Sequence, residues 1–247
     1  MICDFFIVEE EIGILLDMGF FKDRSRFFCF SPQVMLFTFL LESITALYVF
    51  LRYRSSMFGR LVALVLVLLG IFQLAEYNIC GGKDVIFWAH IGFIAITLLP
   101  VLGLHLISRI TKESSFILPW YLLAFGFVSY FIIAPDIMGS PVCGGNYILF
   151  NPTKNWGLMY AVYYFGALFF AIKEAYGGIR MFRRQSRKRW LLIWLCLGYL
   201  SFVVPTGFVY LIAPATRHAV PSIMCGFAIF FAAILAFIVT PIFYKKK

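Results

Sequence analysis

The stretch Val85–Ser108, VIFWAHIGFIAITLLPVLGLHLIS, decides the fold of this chain. It is long enough to cross a bilayer, which takes about 20 predominantly apolar residues in a helix. It contains two of the three histidines, His90 and His105, and a proline near its middle, Pro100. Because proline removes a backbone donor, we expect a kink there. The pattern predicts a transmembrane helix, the third of seven.

The rest of the chain has a membrane protein's composition. Of 247 residues, 62% are hydrophobic and 13% charged, with a mean hydropathy of +0.92, whereas a soluble domain is about half apolar and a quarter charged. Seven apolar runs lie at roughly 31–51, 57–79, 85–108, 116–135, 156–179, 190–213 and 222–244. They predict an all-α membrane protein, a seven-transmembrane-helix bundle over 31–244. We expect no separate enzyme domain, no enzymatic activity and no cofactor, since no nucleophile elbow or phosphate loop occurs.

The positive charges predict the orientation of the bundle. The net charge is +9, and basic residues cluster after the first, third, fifth and seventh runs. These clusters contain Arg52, Arg54, Arg60, Arg109, Lys112, Arg180, Arg183, Arg184, Arg187, Lys188, Arg189 and the tail 245–247. Basic loops face the cytoplasm, so we expect the N-terminus outside and the C-terminus cytoplasmic, in a cell (plasma or inner) membrane. Nucleic-acid binding is disfavoured because no soluble basic face exists.

The first segment, 1–30, is expected to lie outside the membrane. Apolar residues such as Phe5, Val8 and Ile12 repeat at helical spacing, but acidic residues interrupt the run and argue against a signal peptide. Either a helix lying on the membrane surface or a poorly ordered tail fits this pattern.

The cysteines suggest a disulfide on the outer side. Cys80 and Cys143 are each followed by two glycines, which let the backbone reach disulfide geometry. A bridge between them would hold loop 136–155 over the mouth of the bundle; two free thiols are the alternative. A Cys3–Cys29 bridge stays open. The remaining two cysteines are expected to be packing residues: Cys196 and Cys225.

Ionisable residues within the apolar runs are candidate functional groups, because charge inside a bilayer is costly. Glu42 lies near the middle of the first run. Glu76 and His90 lie at similar depth on consecutive helices. We predict a polar ligand-binding pocket in the outer half, formed by Gln73, Glu76, Trp88, His90 and Asp136. The alternative is a Glu76–His90 pair that only anchors helix ends at the membrane surface.

Metal and retinal sites are disfavoured. His90 and His105 lie about 22 Å apart along one helix at 1.5 Å per residue, so they cannot share one metal, and we predict no metal site. The last run contains no lysine for a retinal Schiff base.

The second and third runs carry a family resemblance. A basic loop precedes LVALVLVLLGIFQLAEYNIC, and the aromatic-rich FWAHIGFIAITLLPVLGLHLIS follows, with Gly92 and Leu99-Pro100 near mid-membrane. The pattern resembles the N-terminal seven-helix sensor region of prokaryotic membrane histidine kinases. The resemblance implies a sensory module. No kinase domain is expected, since only the tail 245–247 follows the last run.

Three functions are compatible with the sequence. The first is a stand-alone receptor-like sensor that binds a small or lipophilic ligand and signals through a partner at the basic cytoplasmic loops. The second is a small transporter with a three-plus-one-plus-three plan, suggested by the similarity of LVALVLVLLG (61–70) to RWLLIWLCLG (189–198). The third is a structural subunit of an oligomer or larger membrane assembly, for which 30 phenylalanines and 13 tyrosines provide contact surface.

Overall fold

The computed structural model describes residues 32–112, 117–134, 139–144, 148–150, 154–184, 186–212 and 218–245. These residues form seven helices, which confirms the predicted all-α bundle. The helices are α1 (Pro32–Tyr53), α2 (Met57–Cys80), α3 (Val85–Thr111), α4 (Ile117–Ile133), α5 (Lys154–Met181), α6 (Ser186–Ile212) and α7 (Val220–Tyr244). Six are long and apolar enough to cross a membrane, while α4 is a shorter apolar helix of 17 residues. The chain is a multi-pass membrane protein. The predictions for 1–30 lie outside the described residues.

Helix α3 lies at the centre and packs against α2, α4, α5 and α6. Pro100 cannot donate a backbone hydrogen bond within the helix. In the turn before it, the carbonyl of Thr97 accepts a hydrogen bond from the Tyr163 hydroxyl (2.6 Å), and the Thr97 hydroxyl contacts that of Tyr160 (3.0 Å). Side chains of α5 therefore supply polar partners beside the proline.

Helices α1 and α2 pack along their length because α1 has one buried stripe. Its buried residues recur every three or four positions, as in a helix with one packed face. They are Met35, Thr38, Glu42, Thr45, Ala46 and Val49. The opposite face exposes large apolar side chains such as Phe37, Ile44 and Leu51, as expected for a surface in contact with lipid. Glu42 thus lies on the packed face.

Helix α7 contains a π-helical stretch, Ile234–Val239, between the α-helical stretches Val220–Ala233 and Thr240–Tyr244. The backbone N–H of Thr240 donates to the Leu235 carbonyl, and so does its hydroxyl (2.7 Å). The wider turn therefore has its own hydrogen bonds. π-Helical turns of this kind often mark functional positions.

One end of the bundle, here called the basic end, is closed by contacts between the last turn of α7 and the starts of α2 and α6. Arg187 donates to the carbonyls of Ile242 (2.7 Å) and Phe243. The Tyr244 hydroxyl donates to the Tyr53 carbonyl (2.8 Å) and contacts the Ser56 hydroxyl. The bonds from Arg187 satisfy carbonyls at the end of α7 that a helix terminus otherwise leaves without partners, and Tyr244 adds a second donor to the Tyr53 carbonyl, which also accepts from the Ser56 backbone N–H (3.3 Å). We call this set of contacts the α7 clamp.

The basic clusters predicted from the sequence surround this clamp. The described cations there flank helix ends and are mostly exposed: Arg52, Arg54, Arg60, Arg109, Lys112, Arg180, Arg183, Arg184, Arg187, Lys188, Arg189 and Lys245. Their common location is the geometry that the positive-inside rule requires. That the basic end faces the cytoplasm stays a prediction.

Candidate functional site

The opposite end, here called the hairpin end, carries a small antiparallel hairpin. Strand β1 (Val142–Cys143) pairs with β2 (Ile148–Leu149), with Cys143 opposite Ile148. A disulfide joins Cys143 to Cys80 at the end of α2, with 5.1 Å between the Cα atoms and 63 positions between them in the chain. The predicted Cys80–Cys143 bridge is confirmed. The proposed Cys3–Cys29 bridge lies outside the described residues.

The hairpin inserts apolar side chains between the helix ends. Ile148 is completely buried and Phe150 is 3% exposed. The ring of Phe150 packs edge-on against Phe93 of α3, with 4.8 Å between the centroids. The backbone N–H of Phe150 donates to the His218 carbonyl (3.0 Å) at the start of α7. The hairpin therefore closes this end of the bundle by burial as well as by the disulfide.

A polar chain connects the hairpin to the interior. The backbone N–H of Ile148 donates to the Ser222 hydroxyl of α7 (3.3 Å). Ser222 in turn makes a side-chain hydrogen bond with Glu76 of α2. Glu76 is 2% exposed, and its Oε1 atom has no hydrogen-bond partner. Glu76 is thus linked through one hydroxyl to the backbone of the hairpin.

A second buried carboxylate, Glu42, lies nearby on α1. It is completely buried, and neither of its carboxyl oxygens has a hydrogen-bond partner. It lies close enough to Glu76 for two charges there to repel, and Cys225 of α7 lies in the neighbourhood of both acids. Gly70 of α2 lies beside Glu42, since a Cβ added there would meet the Glu42 Cβ at 3.8 Å. We call Glu42, Glu76, Ser222 and Cys225 the carboxylate site.

Among the described residues, no hydrogen bond joins the other predicted pocket residues to this site. Gln73 is buried on α2, whereas Trp88 and His90 on α3 are half-buried. The Nδ1–H of His90 donates to the Ile86 carbonyl one turn earlier (2.6 Å), and its Nε2 has no partner. His90 and Glu76 therefore form no hydrogen bond with each other. Asp136 lies outside the described residues.

The sequence does not predict that Glu42, Cys225 and Ser222 lie close together. The sequence indicates Glu42 only as a lone acid within an apolar run and Cys225 as a packing residue, and it assigns no role to Ser222. Their proximity depends on long-range packing of α1, α2 and α7, which no local spacing records.

An apolar cavity of about 30 Å³ borders the site on its inner side. Cys225 belongs to its wall, together with Pro100 and Tyr199. The Tyr199 hydroxyl is buried without a partner, and it lies against Gly103, where any Cβ would overlap it. The volume is that of about one water molecule. Within the described part of the chain, no three His, Cys, Asp or Glu side chains come together as metal ligands.

The chain matches no protein-family model, no curated protein and no solved structure. Its class therefore rests on its own geometry. That geometry defines a multi-pass helical membrane protein with a disulfide-anchored hairpin at one end and a basic surface at the other.

Proposed function

We propose that this chain is a receptor-like membrane sensor in a cell (plasma or inner) membrane. It detects a small or lipophilic ligand at the hairpin end and signals through a partner at the basic end. The resemblance to the seven-helix sensor regions of histidine kinases supports the same class. The basic end is cytoplasmic in this proposal, following the positive-inside rule.

The observation that carries the proposal is the continuity of α7. Near its start, Ser222 joins the hairpin backbone to Glu76. At its end, the carbonyls of Ile242 and Phe243 are held by Arg187. One helix thus contacts the closure at the hairpin end and the clamp at the basic end, and its π-helical stretch lies between them. A ligand that displaces the hairpin changes the contacts of this helix directly.

The test uses purified protein in lipid nanodiscs and in proteoliposomes. A panel of lipids and small apolar compounds is screened by thermal unfolding, and each stabilising compound is then tested for flux. Stabilisation without flux supports the sensor. It should be weaker in Glu76→Gln than in the matched control Asp84→Asn, which changes an exposed acid at the N-cap of α3. Flux of the compound would contradict the sensor and favour a transporter.

The transporter is the second candidate because of one specific observation. Two carboxylates are buried within the helices and have no basic partner among the described residues, and ionisable groups in such positions also mark proton or ion pathways. A structural subunit would instead co-purify with a fixed partner and show neither ligand stabilisation nor flux.

The orientation has its own test in intact cells. Single cysteines replace two exposed residues, Ser140 at the hairpin end and Arg184 at the basic end. We expect an impermeant thiol reagent to label the Ser140→Cys variant and only a permeant reagent to label Arg184→Cys. The reverse pattern would invert the proposed orientation.

A further inference from the structure

The two acids of the carboxylate site are buried without compensation. Glu42 and Glu76 are at most 2% exposed, and three of their four carboxyl oxygens have no hydrogen-bond partner in the described part of the chain. Neither has a lysine, arginine or histidine partner among the described residues. An isolated charge in a low-dielectric interior costs many kilocalories per mole, and two neighbouring charges of the same sign cost more. Some positive charge must therefore bind when the bundle is closed.

Within the described part of the chain, the elements around the two acids offer no fixed cation. Helix α7 presents the Ser222 hydroxyl and the Cys225 thiol, and the hairpin presents the backbone of Ile148. Helix α5 contributes Tyr164, which lines the apolar cavity together with Cys225. On α3, the Nδ1–H of His90 is directed at its own helix, as described above. None of the described residues therefore supplies the counter-charge, and a cation from solution can supply it.

We infer that Glu42, Glu76 and Ser222 form a binding site for a monovalent cation, either a proton or a sodium ion. Three free carboxyl oxygens and one hydroxyl are hard oxygen donors, which suit both occupants. They are too few for Ca²⁺, which takes 6–8 oxygens. Softer transition metals need several His or Cys ligands, and among the described residues no three His, Cys, Asp or Glu side chains, Cys225 included, come together as metal ligands.

The cation site also bears on the closure of the hairpin. Neutralising Glu76 removes its repulsion with Glu42, while Ser222 stays bonded to the Ile148 backbone. Binding of the cation therefore stabilises the closed bundle. The inference goes beyond the proposed sensor, because the site would bind a cation even if no ligand acted at the hairpin end.

The experiment measures thermal unfolding of the whole chain in nanodiscs. Sodium chloride replaces choline chloride at constant ionic strength and fixed alkaline pH, and a second series varies the pH in choline chloride alone. The variants are Glu42→Gln and Glu76→Gln, which keep the side-chain shape, with Asp84→Asn as the matched control on an exposed acid.

A sodium ion and a proton would change the unfolding temperature of wild type and Asp84→Asn in different ways. A sodium ion raises the unfolding temperature by about 3–8 °C relative to choline, by preferential binding to the folded chain. A proton instead raises it by a similar amount as the pH falls in choline, with no added effect of sodium, because the folded state takes up protons more tightly than the unfolded one. In both Gln variants, the unfolding temperature should depend much less on sodium or on pH.

The inference is overturned if wild type and both Gln variants respond equally to sodium and to pH. A variant that fails to fold does not decide the matter, so a second measurement uses wild type alone. Radioactive sodium binding, competed by unlabelled sodium, detects the ion, and the infrared carbonyl band of a protonated carboxyl group detects the proton. Absence of both signals from the folded protein would also overturn the inference.

Discussion

The two ends of the bundle are closed in different ways. At the hairpin end, a disulfide and buried apolar side chains cover two uncompensated carboxylates. At the basic end, no disulfide is used among the described residues, and Arg187 and Tyr244 close the structure by donating to backbone carbonyls. The hairpin end hides negative charge, whereas the basic end exposes positive charge. An end built around buried acids suits binding, and an end with exposed cations suits contact with a partner or with anionic lipid.

The largest expected effect comes from removing the disulfide. The Cys80→Ser/Cys143→Ser double variant should lose about 2–4 kcal/mol of stability, because the bridge closes a loop of roughly 60 residues in the unfolded chain. Thermal or denaturant unfolding in nanodiscs measures the loss. Ala replacement of Cys196, a half-buried cysteine that forms no bridge, is the control. Equal stability of the double variant and wild type would mean that apolar burial alone closes the hairpin end.

The next effect tests how tightly the basic end is packed. A Cβ at Gly59 would overlap the Tyr53 carbonyl and lie 2.9 Å from the Tyr244 hydroxyl. Gly59→Ala should therefore cost about 1–3 kcal/mol through overpacking. Gly126→Ala on α4 is the matched control, because nothing lies within 4 Å of its Cβ position. If both changes have the same effect on unfolding, the α7 clamp does not depend on this close approach.

A smaller effect is expected from breaking the polar chain at the hairpin end. Ser222→Ala leaves the Ile148 N–H and Glu76 without their shared partner, which should cost about 1–2 kcal/mol. Ser201→Ala is the control, since that hydroxyl donates only to the Gly198 carbonyl of its own helix (2.7 Å). Unfolding measurements in which the two variants lose equal stability would remove the special role of Ser222.

Much of the fold could be predicted from the sequence, because membrane spans depend on local composition. The run predicted at 57–79 corresponds to Met57–Cys80, and the one at 85–108 to Val85–Thr111. The largest miss at a boundary is α6, expected at 190 and observed from Ser186. Its basic residues suggested a loop, but a helix satisfies its own backbone hydrogen bonds whatever the charge of side chains near the membrane surface.

The candidate site was less predictable. Cys80 and Cys143 could be paired because each is followed by two glycines and both lie on one predicted side. The pairing of Glu42 with Glu76 could not, because it depends on which face of α1 meets α2. Glu76 was expected opposite His90, but α7 supplies its hydrogen-bond partner, and no local pattern indicates where the seventh helix packs.

We propose that α7 couples the two ends of the bundle, and hydrogen–deuterium exchange in nanodiscs measures this coupling. Wild type, the Cys80→Ser/Cys143→Ser variant and Ser222→Ala are compared at the last turn of α7, Thr240–Tyr244. The account predicts faster exchange there in both variants, with Ser201→Ala unchanged. Faster exchange confined to the hairpin end, with Thr240–Tyr244 as protected as in wild type, would contradict it.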